Sequence, residues 1–263
     1  MPCTGNGSSG IKVLAQFFQN WSGTRQVLIP TIFRPVNVQQ IAAAIQEVER
    51  AGGAVKAVGS GWSYSDAAVD ESVTHLMDLT SLNANLTGQN VTTPNTVIPF
   101  ALQDNLWPEI QGNRHFVHVQ AGITIYALNF LLDGLNPKLA MPTLGGANGQ
   151  TLAGAISTGT HGADMNLPPI ADAVKAIHLV GPGGQEWWIE PTNGITDPTR
   201  LGQTRDGVRL CNDISVVRDD QMFRAALVSL GRMGVIYSVV LEVVPAFRLA
   251  QRRVASKWSR EAA

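Results

Sequence analysis

The sequence predicts an α+β fold, and three observations point to it. Helix-period and strand-period segments are interspersed with hairpin signals, and they do not alternate regularly as strand and crossover helix. Hydrophobic residues make up 44% of the 263 residues and charged residues 15%, the balance of a chain that buries a core. Glycine occurs 26 times and proline 14 times, so the backbone turns often or lets something come close to it.

The first helix is expected over Val38 to Arg50, with apolar residues at Ile41, Ala44, Ile45 and Val48. Asn37 is its N-cap, Gln40 stands at the capping-box position and Gly52-Gly53 ends it. A short strand, Ala54 to Val58, runs into Gly59-Ser60-Gly61-Trp62-Ser63, and a second strand spans Thr74 to Leu79. The polar stretch Asn83 to Asn95 reads as a loop. Phe116 to Val119 is strand-like, and Thr124 caps a helix from Ile125 to Leu132 that Gly134 stops. A run of small residues then extends from Gln150 to Gly162. Ala173 to Val180 and Gln185 to Glu190 form a hairpin across Gly181-Pro182-Gly183-Gly184. Asp219 or Asp220 caps a helix through Leu230, and Val235 to Val244 is a β-branched strand stopped by Pro245. This order divides the chain into a first lobe at residues 1–82, a second at 83–246 and a short basic tail at 247–263.

A formal net charge of -1 and the lack of any Lys/Arg run give no basis for nucleic-acid binding. Cys3 and Cys211 are the only cysteines, too few for a disulfide framework or a zinc site, and no metal is expected. Met1 to Gly10 lacks the order of a signal peptide, and nothing approaches the roughly 20 apolar residues of a membrane span. The plain expectation is a cytoplasmic protein in a reducing compartment, without membrane contact.

Three segments can carry chemistry. A strand ending in Gly59-Ser60-Gly61-Trp62-Ser63 presents successive N–H groups and hydroxyls to an anion; a tight turn is the alternative. Tyr64 occupies the last glycine position of G-x-G-x-x-G, and the P-loop pattern is absent. The second segment, Ser157-Thr158-Gly159-Thr160-His161-Gly162, is small enough for a flat ligand or its chain to lie along it, or for main chain to pack on main chain. The third, Gly231-Arg232-Met233-Gly234-Val235-Ile236, either offers backbone groups to a base or is a helix stop before a core strand. His115 and His118 are spaced His-x-x-His, but on a strand they point to opposite faces. Ser157, His161 and Asp164 have hydrolase residue types without a nucleophile elbow. Trp187 and Trp188 alternate across a strand.

Together, in this order, the motifs resemble the FAD-binding domain of the vanillyl-alcohol-oxidase/PCMH-type flavoproteins, nearest to the sugar-alcohol and aldonolactone oxidases. The likeness runs from Asn20-Trp21-Ser22-Gly23, through the two glycine segments, to Gly234-Val235-Ile236 and Val244-Pro245. It implies a two-lobed fold with FAD as cofactor and a small alcohol or sugar-type substrate. It implies the diphosphate at Gly59, Ser60, Gly61, Trp62 and Ser63. Leu144, Gly145, Gly146, Gln150, Thr151, Gly154, Ala155, Ser157, Thr158 and His161 would line the rest of the cofactor, and Val235 and Ile236 would meet the adenine. Many such proteins carry a flavin-linked histidine where this chain has Trp62, so a non-covalent flavin is expected. Such proteins usually continue into a C-terminal substrate (cap) domain, and the fold expected here lacks it after Pro245. The expectation is either a fragment of a longer chain or a cap supplied by a second chain or a homo-oligomer, and no catalytic acid or base is named. The alternative is a flavin-binding module or partner subunit without turnover.

Overall fold

The computed structural model describes residues 8–87, 106, 114–197, 214–250 and 252–261. Cys3, Cys211 and residues 88–95 of the expected loop lie outside them.

The chain opens with a hairpin that the apolar patterning does not announce: β1 (Ile11–Gln19) and β2 (Gln26–Arg34), paired antiparallel. Ile11, Leu14 and Phe17 are all exposed on β1, which hides the usual in-and-out alternation. Helix α1 (Val38–Arg50) follows, buried through Ile41, Ala44, Ile45 and Val48 as its period requires. The Asn37 side chain accepts from the Gln40 N–H. Gln40 reaches back to the N–H of Val36 rather than of Asn37, so the capping box is displaced by one residue. Strands β3 (Val55–Val58) and β4 (His75–Asp78) complete a four-stranded sheet in the order β1-β2-β4-β3, with parallel β2–β4 and β3–β4 pairs.

The second sheet is six-stranded. Its path is β5 (His115–Gln120), β10 (Val235–Pro245), β7 (Val174–Val180), β8 (Glu186–Glu190) and β9 (Ser215–Arg218), with β6 (Leu139–Ala140) also pairing with β10. β10 is central because it is the longest apolar strand, antiparallel to β5 on one side and to β7 on the other. β7 and β8 form the expected hairpin. Helix α2 (Ile125–Asp133) is capped by Thr124 as expected. The small-residue run contains an unanticipated short helix, α3 (Leu152–Ser157). Helix α4 (Asp220–Leu227), capped by Asp219, ends three residues early. Leu230 takes a left-handed φ of 52° before Gly231 at 73°, conformations a helix cannot contain. In the tail, residues 252–259 are exposed and Trp258–Glu261 forms a single turn, α5. Among the described residues, no helix is long and apolar enough to cross a membrane.

The main core joins α1 and α2 to one face of the six-stranded sheet, through Ile41, Leu128, Val239 and Leu241. The two sheets meet at main chain: a Cβ on Gly122 would stand 1.9 Å from the Leu79 carbonyl oxygen. The opposite face of the large sheet is also buried, but it carries polar groups around the fully buried Trp188. Trp187 is only partly buried, the alternation expected of the pair. His118 is buried there, its Nε2 2.9 Å from Ser238 Oγ, while His115 is half-buried. His178 Nε2 lies 2.9 Å from Glu186 Oε2. Glu190 accepts from Trp188 Nε1 and Thr196 Oγ1 and pairs with Arg218. Burial pushes the Glu190 carboxyl up, and these partners pull it back.

Burial, helped by the nearby His178, lowers the His118 pKa from 6.5 to about 3. The unfolded chain therefore takes up a proton on His118 below its ordinary value of 6.5, whereas the folded protein does not until about 3. Its contribution is complete above pH 6.5 and is lost as pH falls toward 3. The expected slope is about 1.4 kcal/mol per pH unit for this one group. Urea titrations across that interval should give a shallower pH dependence for His118→Gln than for the parent.

Candidate functional site

β3 leaves the first sheet at Val58 and enters Gly59-Ser60-Gly61-Trp62-Ser63. The β1–β2 turn is the seat on which this loop rests. Asn20 is buried, accepts from the Arg25 N–H at 3.0 Å, and donates through Nδ2 to the Ser63 carbonyl at 2.9 Å. The Trp21 N–H donates to the Gly61 carbonyl at 2.8 Å. Above these bonds the Trp21 and Trp62 rings stack, with centroids 4.1 Å apart and planes 12° from parallel, and Tyr64 meets Trp21 edge-on. Gly61 adopts a φ of 66°, which a side chain would strain.

Ser60 connects this loop to the second lobe. Its hydroxyl donates to the Gly149 carbonyl at 2.8 Å and accepts from the Thr151 N–H at 3.0 Å. Its one proton is engaged by the Gly149 carbonyl. Gly59 is small for a similar reason: a Cβ there would fall 1.9 Å from Thr151 Oγ1. Thr151 precedes α3, whose first N–H groups donate to Ile123 and Ala121 carbonyls. The far wall is the turn after α4, where the Leu230 N–H donates to the Ser157 carbonyl and Lys56 Nζ donates to the Leu230 carbonyl at 3.1 Å.

These pieces enclose a cleft of about 170 Å³. Gly59 to Ser63, Gln150, Thr151, Gly154, Ser157, Thr158 and Ile236 line it, so three distant segments converge as their motifs suggest. Ala155 and Val235 are buried and do not line it. Leu144, Gly145, Gly146 and His161 also stand off it. Residues 143–145 instead pack on 160–162: a Cβ on Gly162 would lie 2.6 Å from the Leu144 carbonyl oxygen, and one on Gly145 2.7 Å from Thr160 Cγ2. Here small residues serve main-chain packing, the alternative left open by the sequence. The His161 ring is exposed and its Nδ1 lies 2.7 Å from the Gly162 carbonyl.

Sequence reasoning missed Lys56, Leu79, Ala121 and Leu230, all of which line the cleft. Only Lys56 left a signal, a charge within a four-residue strand ending at a glycine loop. Among the described residues, no three His, Cys, Asp or Glu side chains gather as a metal site.

Comparison with known proteins identifies the family. Residues 29–190 match the family described as FAD binding domain. The chain is 25% identical to the D-arabinono-1,4-lactone oxidase of Eremothecium gossypii, over 88% of this chain and 35% of that protein. It is 25% identical to the L-gulonolactone oxidase of Scyliorhinus torazame, over 88% and 41%. It is 25% identical to the L-gulono-1,4-lactone dehydrogenase of Mycobacterium tuberculosis, over 90% and 42%. The chain thus spans about two fifths or less of the length of these curated relatives.

The cleft residues fit a dinucleotide of that kind. Among the described residues Gln150 Oε1 is buried without a hydrogen-bond partner, at the cleft wall. A buried acceptor without a donor is costly, and a ligand hydroxyl or imide N–H would satisfy it.

Ser60 supplies the test of the arrangement. Ser60→Ala leaves the Thr151 N–H and Gly149 carbonyl without their shared partner, and is expected to lower stability by about 1–3 kcal/mol. Chemical denaturation measures that loss. Asn20→Ala should act in the same direction, because it frees Ser63 from its seat.

Proposed function

Because the chain belongs to the FAD binding domain family, we propose that it is the cofactor-holding unit of an oxidoreductase that oxidises a C–OH carbon of an aldonolactone, sugar or alditol. The support is the convergence of Gly59–Ser63, Gln150–Thr158 and Ile236 on one cleft, together with the unpartnered acceptor of Gln150. FAD, when bound, accepts a hydride from the substrate carbon and passes the electrons to oxygen or another acceptor.

In this reading the N–H groups of Gly59 to Ser63 face the diphosphate. Gln150, Thr151, Gly154, Ser157 and Thr158 follow the cofactor chain, with Leu144, Gly145, Gly146, Ala155 and His161 supporting that wall from behind or beside it. Ile236 meets the adenine through main chain, and Val235, buried beside it on β10, sets its position. Trp62, stacked on Trp21, braces the loop and offers no nucleophilic nitrogen for attachment, so the flavin is held without a covalent bond. The substrates named for the relatives suggest a sugar-acid lactone as the substrate class.

A second reading has its own observation. Apart from Lys56, the described cleft-lining residues include no ionisable acid or base. Unless a cap from further sequence, a second chain or a homo-oligomer supplies the group that takes the hydroxyl proton, the unit binds flavin without turning over.

The purified protein is expected to be yellow, or to become so with FAD, and acid precipitation should leave the flavin in the supernatant. Assays with aldonolactones and alditols, using oxygen and then a dye acceptor, separate the two readings. A folded, colourless protein that ignores added FAD would refute both.

A further inference from the structure

Lys56 is the one charged side chain among the described residues that line the cleft. It stands on β3, three residues before Gly59, and is half-buried. Its Nζ donates to the Leu230 carbonyl, 174 positions away in sequence. Leu230 is an unusual partner. Its φ of 52° is disfavoured for a residue with a side chain, and such a conformation persists only where the surroundings enforce it. The enforcement comes from both sides: the Leu230 N–H is held by the Ser157 carbonyl and its C=O by Lys56. Gly231 continues the left-handed turn with a φ of 73°, and Gly234, at the foot of β10, has no room for a side chain because a Cβ would lie 2.7 Å from the Val180 carbonyl oxygen. The turn is thereby fixed as a wall that lines the cleft together with Ile236.

We infer that Lys56 is a cofactor-binding residue that selects a dinucleotide over a mononucleotide: it latches the Leu230–Gly231 wall over the adenosine end of the cleft and directs its remaining N–H donors and its charge at that half of the ligand. The inference rests on the proposed reading of the cleft as an FAD site with adenosine toward Ile236. Lysine suits both tasks. An ammonium has three donors, of which the Leu230 carbonyl takes one. Among the described residues no other charged side chain lines the cleft, although Asp70 stands near enough to feel the Lys56 charge; a ligand with two phosphates and a ribose presents only acceptors and hydroxyls to meet the remaining donors. Riboflavin and FMN do not extend to this end.

The test compares dissociation constants for FAD, FMN and riboflavin, by flavin-fluorescence titration, in the parent, Lys56→Met and Lys56→Arg. The parent titration comes first: failure to bind FAD there refutes the proposed function, not the role of Lys56 within it. With parent binding established, Lys56→Met is expected to weaken FAD by about tenfold or more, the loss typical of a charge-assisted hydrogen bond. FMN and riboflavin should change by less than about threefold, and Lys56→Arg should recover most of the FAD affinity. A residue serving stability alone would lower the melting temperature of the ligand-free protein and leave the ratio of FAD to FMN affinity unchanged. That unchanged ratio, or equal weakening of FAD and FMN, overturns the inference. Should Lys56→Met not fold, Lys56→Gln, which keeps a neutral donor, carries the same comparison.

Discussion

The hydroxyl of Ser60 is the contact on which the arrangement depends. It lies where the glycine loop after β3 meets the segment before α3, and it engages both a carbonyl and an N–H of that segment. Without it, two stretches of polar main chain would face each other unpaired in a partly buried cleft, which costs more than the bonds themselves contribute. The neighbouring glycine obeys the same constraint, because Thr151 occupies the space a side chain would need. A motif that reads as an anion cradle is therefore first a joint between two lobes. Its capacity to hold a ligand follows from how that joint orients the loop.

The joint is supported from outside. The β1–β2 turn binds the loop by Asn20 and by the Trp21 N–H, and the Trp21–Trp62 stack covers these bonds. Among the described residues the cleft built this way has no ionisable side chain but Lys56, so its electrostatics come from oriented main-chain dipoles and that cation. Such a site suits a long polar cofactor and, among its described lining residues, contributes little acid–base chemistry of its own. Among the described residues, the buried titratable side chains His118, His178, Glu186 and Glu190 gather elsewhere, on the opposite face of the six-stranded sheet around Trp188, with His178 beside Glu186 and Glu190 paired with Arg218.

Small residues in this chain have two meanings that look alike in sequence. At Gly61 the backbone turns left-handed, which itself calls for glycine. At Gly122, Gly145 and Gly162 the cause is proximity of other protein, often a carbonyl oxygen. The second kind explains why Gly145 and Gly162 stand off the cleft although their segment is as rich in small residues as any ligand-lining loop.

The helices α1 and α2, the β7–β8 hairpin and the long central strand β10 were determined by sequence alone, because apolar period, caps and turn residues act locally. So was the family, whose motifs keep their order along the chain. The β1–β2 hairpin escaped that reading because exposed apolar residues mask its alternation, and α3 because Gly, Ala and Ser carry little periodic signal. Which hydroxyls remain free, which small residues touch the cleft and that Lys56 belongs to it were decided only by the tertiary structure. Those facts depend on pairs such as Ser60 with Gly149 and Lys56 with Leu230, whose partners lie 89 and 174 positions away, beyond the reach of any local pattern.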